Sequence, residues 1–300
     1  MFTKKILSGA RDKLDDWKGY GKGFELWNDS ELFDALVSAI NDWVRETRCF
    51  RDSSTEAICK VPLLANQHTF PMDSRIIAVH EGRLLSGWPY IQVKDELWLS
   101  DHLYSWQTRT GYPRYVVPDY EVGKLRAVPY FNAEGYFSGT MTFTAGDNKI
   151  TMAGAKFSDF LSAGTQVVIS TTVSNNGTKT VVTASADDFT VSETVTDETV
   201  STVVQKIMDT LWLSTDRLPL IQVSLANWES ESPEINFDYH AKLVYGILRE
   251  AYEKDDAETY DPELAAKYRG IFQGHINKAK KEKLRLRHST RVLRPNPGLI

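Results

Sequence analysis

PEINFDYHAKLVYGILREAYEKDDAETYDPELAAKYRGIFQGHINKAK, residues 233–280, carries two helical periods in succession. In the first, Phe237, Ala241, Val244, Leu248, Ala251 and Tyr252 follow a helical stripe, so one face is apolar. The spacing predicts a helix that starts at Ser232-Pro233-Glu234 and ends at Asp255-Asp256. Asp261-Pro262-Glu263 opens the second, with aspartate as N-cap and proline at the first helical position. There Leu264, Tyr268, Ile271, Phe272, Ile276 and Ala279 line one face.

Two helices are also expected near the start. One covers residues 4–17. After the glycine-rich break Gly19-Tyr20-Gly21-Lys22-Gly23, read as a loop or hinge, Asn28, Asp29 and Ser30 form a helix N-terminus with Glu31 in its first turn. Leu32, Leu36, Ala39, Ile40 and Trp43 recur at spacings of three and four up to residue 48. The core expected for the resulting bundle is Leu32, Leu36, Ile40, Trp43, Phe237, Val244, Leu248, Tyr268 and Phe272.

Between the helix pairs the period shortens. Apolar runs at 57–64, 76–79, 90–93, 97–99, 114–117 and 125–128 are separated by Pro, Gly, Asp and Asn, the pattern of a small β unit. Residues 139–202 differ again: fifteen threonines, no Pro, Trp or Tyr, and turn signals such as Asn175-Asn176-Gly177 between alternating stretches. They read as a β-sandwich or barrel inserted into a host domain, with Phe143, Phe157, Phe160 and Phe189 in its core. The expected class is α+β: a helical bundle of an N-terminal helix pair and two C-terminal helices, a small β unit, and an inserted Thr-rich β domain. The expected boundaries are 1–134 with 203–283 for the host, 135–202 for the insert, and 284–300 for an extended C-terminal arm.

Composition narrows the function. No apolar run approaches the ~20 residues of a membrane-spanning helix, and MFTKKILSGARDKL at the start lacks the apolar stretch and cleavage site of a signal peptide. The expected location is a cytoplasm, or a particle assembled there. Cys49 and Cys59 form no metal or redox pair. The six histidines, His68, His80, His102, His240, His275 and His288, fit no metal spacing. His240 is expected to be a satisfied structural histidine. Asp255, Asp256, Glu258 and Asp261 do not match a calcium-loop pattern. No nucleophile elbow or phosphate loop is present. The reading is therefore a non-enzymatic protein with no catalytic, cofactor-binding or metal-binding residues.

Charge supplies the remaining clue. Residues 278–294 hold eight basic side chains and one acid, Glu282, for a charge of +7, which leaves −12 on the remainder of a chain whose net charge is −5. A basic end on an acidic body suits a partner of negative surface. The segment reads as a docking arm, as a non-specific nucleic-acid arm, or as a solvated helix end. The absence of aromatics from 278–300 weakens single-strand stacking.

Taken in order, RDKLDDW at 11–17 with WNDSELFDALVSAINDW at 27–43, QHTFPMDSRII at 67–77, GYPRYVV at 111–117 and the 233–280 stretch resemble the head-to-tail adaptor (connector) proteins of tailed bacteriophages. The resemblance covers everything outside the insert, and NNGTKTVVTASADDFTVSE at 175–193 looks like small β domains attached to many phage structural proteins. It implies a homo-oligomeric ring, usually twelve-fold, beneath the portal protein in the neck of the virion. It also implies contacts with tail or neck proteins, and a lumen that conducts DNA without sequence-specific contacts. The arm docking into the portal is expected to comprise Leu284, Arg285, Arg287, Arg291, Val292, Leu293, Arg294, Leu299 and Ile300. The alternatives are a neck stopper or tail-completion protein, and a sequence-independent DNA-binding module. The insert's expected role is ring decoration, contact with tail or collar proteins, or glycan binding, the last disfavoured by its lack of Trp and Tyr.

Overall fold

The computed structural model describes residues 3–14, 27–87, 90–221, 223–255 and 259–289. Its helices are α1 (Thr3–Leu14), α2 (Asp29–Thr47), α3 (Glu56–Cys59), α4 (Glu96–His102), α5 (Phe237–Glu253) and α6 (Pro262–Ser289). Its strands begin with β1 (Arg51–Asp52), β2 (Lys60–Leu64), β3 (Thr69–Pro71), β4 (Ile76–Leu84), β5 (Ile91–Val93), β6 (Tyr115–Glu121) and β7 (Lys124–Val128). They continue with β8 (Tyr136–Thr144), β9 (Lys149–Thr151), β10 (Gln166–Ser170), β11 (Gly177–Ala184), β12 (Asp188–Val191) and β13 (Glu198–Arg217). The chain divides into two compact units, Met1–Arg51 with Asp216–Ile300, and Asp52–Thr215.

The first unit is helical. Asn28 caps α2: its side chain accepts from the Glu31 amide at 2.8 Å, and the Glu31 carboxylate accepts from the Asn28 amide at 3.0 Å. α2 ends at Arg48 in the left-handed conformation. α5 packs against α1, α2 and α6. At Gly246 the approach to α2 is so close that an added methyl would lie 2.5 Å from the Ala39 Cβ. α5 begins at Phe237, capped by Asn236, and not at residues 232–234. Glu234 serves another purpose. It receives the Arg217 guanidinium at 2.8 Å and the Leu220 amide at 2.7 Å. Burial opposes its charge, but those donors outweigh it and hold the carboxyl below its usual range.

The second unit is built chiefly of strands, with α3, α4, two single-turn 3-10 helices and connecting loops among its described residues. Strands β8-β9-β12-β11-β10-β13 pair antiparallel in that order, and β13 pairs again with β8, so residues 136–206 close into a six-stranded barrel. Closure leaves no free edge. Phe137, Met141, Phe143, Ile150, Phe157, Phe189 and Val204 fill it, with Phe157 4.6 Å from Phe137 and 4.8 Å from Phe189. Phe160 is the exception among the expected core phenylalanines, at 37% exposure. The second half of β13 enters a further sheet of order β2-β13-β4-β5-β6-β7-β3. Val61 of β2 and Phe70 of β3, at its two ends, belong to one core cluster with Leu84, Ile91, Val116, Leu125 and Leu211, so the sheet is curled until its ends share a core.

This corrects the expected fold class. The protein is not a helical bundle with a small β unit and an insert; its described residues form mostly a mixed sheet of thirteen strands, accompanied by six helices. The cause is β13, a single strand of 20 residues whose first half closes the barrel and whose second half pairs with β2 and β4. A continuous hydrogen-bonded strand merges the expected insert and the expected host sheet. The compact units part at residues 51–52 and 215–216. A second correction concerns residues 97–99, expected as a strand. They lie in α4, because Asp95 caps that helix by accepting from the Trp98 amide at 2.7 Å.

Candidate assembly surfaces

The basic end of the chain is carried by α6. Asp261 starts it, its carboxylate accepting from the amides of Glu263 and Leu264 at 3.0 Å each. Ala265, Phe272, Ile276 and Ala279 point into the unit, while Lys278, Lys281, Leu284 and Arg285 are exposed. Spacings of three and four place Lys278, Lys281 and Arg285 on one face.

Two other cations of this run, Lys280 and Lys283, turn inward. Lys280 pairs with Glu46. The Lys283 ammonium donates to the carbonyls of Thr47, at 3.3 Å, and Arg48. These are the terminal carbonyls of α2, where the helix dipole concentrates negative charge. Glu282 accepts from the Tyr239 hydroxyl at 2.5 Å. That hydrogen bond, burial and the carboxylate's charge push the Tyr239 phenol up to about 12. Part of the basic excess therefore ties α6 to α2, while the acid Glu282 ties it to α5.

The expected arm is corrected in its first third. Leu284 and Arg285 lie in α6, which continues to Ser289, so residues 284–289 are helical and not extended. The reason is local: 281–289 read KEKLRLRHS, good helix formers without Gly or Pro, and the first proline is Pro295. Arg287 is in the helix, with its side chain outside the described residues. Arg291, Val292, Leu293, Arg294, Leu299 and Ile300 lie outside the described residues altogether.

Of the expected bundle core, Leu32, Leu36, Ile40, Trp43, Val244, Leu248 and Phe272 are buried. Trp43 meets Phe272 at 5.9 Å and Tyr239 at 5.0 Å. Tyr268 is half-buried and stacks on Tyr252 at 5.8 Å, the two rings inclined by 9°. Phe237 departs from the expectation: it is 66% exposed in the first turn of α5. His240 takes the inward position, 3% exposed, with its Nε2 at 2.7 Å from the Ile235 carbonyl. A further aromatic series escaped the periodicity. Tyr245 lies between Tyr268 at 6.3 Å and His275 at 5.4 Å, with the Lys13 ammonium 5.4 Å from its ring. Burial, with Lys242 and Lys278 nearby, lowers the His275 pKa.

Cys49 is exposed and Cys59 buried, both as free thiols. Among the described residues no group of three or more His, Cys, Asp or Glu is placed to hold a metal ion, and no helix is long and apolar enough to cross a membrane. No family model matches the chain, and no curated protein matches it.

Proposed function

We propose that the protein is a structural part of a tailed-phage particle: the head-to-tail adaptor that forms a ring under the portal. Its C-terminal segment docks into the portal, and its lumen conducts DNA. The observation that carries this reading is the association of the resembling segments. Residues 27–43 and 233–280, far apart in sequence, pack as one helical unit, and from it α6 leads toward the basic and apolar tail with Lys278, Lys281 and Arg285 on its exposed face. A helix that leads into a short basic and apolar segment suits a docking arm, since few residues then need to be held in a groove. Ring closure requires a head-to-tail contact between copies.

The test is negative-stain imaging and pull-down of the full chain with its portal ring, with and without residues 290–300. Rings seated on the portal that vanish on truncation support the reading. Failure of both forms to associate removes it.

The exposed Lys278, Lys281 and Arg285 also favour a second reading, non-specific binding of duplex DNA. That reading requires an affinity for duplex that falls steeply with salt and collapses in K278A/K281A/R285A. Salt-independent or absent binding excludes it.

A further inference from the structure

β5 and β6 run parallel, so residues 94–114 must cross from one end of the sheet to the other. This crossover is pinned from beneath. Arg126, 5% exposed, sets its guanidinium 5.1 Å from the Trp106 ring and 4.7 Å from the Tyr120 ring, and donates to the Gln107 carbonyl. Its outer side carries large apolar groups: Leu97 and Tyr104 on the crossover are 73% and 95% exposed, and Tyr90, just before β5, is 73% exposed.

Beside the crossover lies a cleft of about 540 Å³, whose walls include Tyr90, Gln92, Arg109, Tyr112, Arg114 and Tyr115. No carboxylate lines it among the described residues. Glu81, opposite Gln92 in the strand register, stands outside the lining. Two of the three tyrosines are braced from behind. Tyr112 meets the buried Phe131 edge-on at 5.4 Å, and Tyr115 meets Trp98 at 5.4 Å. The backbone under both arginines is tied down: the Tyr130 amide donates to the Arg109 carbonyl at 3.2 Å, and the Arg114 amide to the Val128 carbonyl at 2.9 Å. Neither guanidinium makes an ion pair with a described residue.

We propose that this cleft docks an acidic segment of a partner protein. An Asp or Glu carboxylate enters between Arg109 and Arg114, and a neighbouring aromatic or aliphatic side chain lies against Tyr112. Arginine forks accept carboxylates with two parallel hydrogen bonds, and braced tyrosines beside them have the composition of protein-binding hot spots. Charge separates this occupant from nucleic acid. Residues 52–215 hold twelve basic and eighteen acidic side chains, a net −6. That field opposes a polyanion spread over many phosphates, whereas one or two carboxylates feel chiefly the two adjacent guanidiniums. This chain's own tail is also unsuited, since residues 290–300 contain Arg291 and Arg294 and no acid. The cleft lies wholly within the second unit and is distinct from the basic end of α6.

A randomised heptapeptide library, blocked at both ends, is selected on the full chain, and the enriched peptides are titrated by fluorescence anisotropy. Enriched peptides should combine Asp or Glu with an aromatic or aliphatic neighbour. Their affinity should fall about tenfold or more in R109A/R114A, and should fall in Y112A, which keeps both charges. R109K/R114K should bind less well than wild type, because lysine keeps the charge without the fork. Circular dichroism of each variant should match wild type, as Arg109, Tyr112 and Arg114 are exposed. Selection without acidic enrichment, wild-type affinity in R109A/R114A, or displacement of the peptides by oligothymidine at lower concentration would each overturn the assignment.

Discussion

Single side chains mark where α5, α6 and α2 are joined. Lys283 belongs to the basic run that a charge count assigns to a partner or to solvent, yet it bonds the end of α2, and Tyr239 bonds Glu282. The tyrosine makes a direct test. Its folded pKa is raised to about 12, so the fold retains the phenol proton. The contribution to stability is full below the ordinary tyrosine pKa of ~10 and disappears as pH rises through about 12. Spectrophotometric titration of Y239F should lose one tyrosine from the late-ionising end of the curve, to which burial also moves Tyr252. An unchanged titration curve in Y239F would refute the Tyr239–Glu282 bond. Both residues were readable as types and neither as partners, since Tyr239 and Glu282 are 43 positions apart.

For whole helices, spacing revealed more. The stripe Leu32, Leu36, Ile40 and Trp43 gave the buried face of α2, because a 3.6-residue period puts those positions on one side. It misplaced Phe237, where capping by Asn236 starts the helix and His240 takes the inward place. Glycine shows the same division. Gly246, Gly270 and Gly274 look alike in sequence, but Gly246 lies against Ala39 and the other two face open space. G246V should therefore destabilise the helical unit by about 2–3 kcal/mol through overpacking. G274A should stabilise it by about 0.5–1 kcal/mol through helix propensity. Chemical denaturation followed by helical circular dichroism measures both. Equal effects of one sign would contradict the α2–α5 contact.

In the whole molecule, the division into units carries the main consequence. Asp52–Thr215 contains its own cores, in the closed barrel and in the curled sheet, so expressed alone it should fold. Its far-ultraviolet spectrum should be that of β structure, and its thermal unfolding should be cooperative. A fragment of residues 135–202 should fail, because it lacks Val203–Lys206, the stretch of β13 that pairs with β10. A folded, stable 135–202 fragment together with an unfolded 52–215 fragment would show that the expected insert, and not the larger unit, is the folding entity.

The sequence by itself determined the local elements: the amphipathic faces of α2, α5 and α6, the caps at Asn28 and Asp261, the threonine-rich strands, and the uneven charge of the basic end. These depend on neighbours within a turn or two, and periodicity reports them. Only the tertiary structure decided that β13 continues from the barrel into the second sheet, that Lys280 and Lys283 bind α2, and that Arg109 and Arg114 flank one cleft with Tyr112. Strand pairing and side-chain partnership join residues distant along the chain, and their energy depends on three-dimensional complementarity that no local pattern encodes.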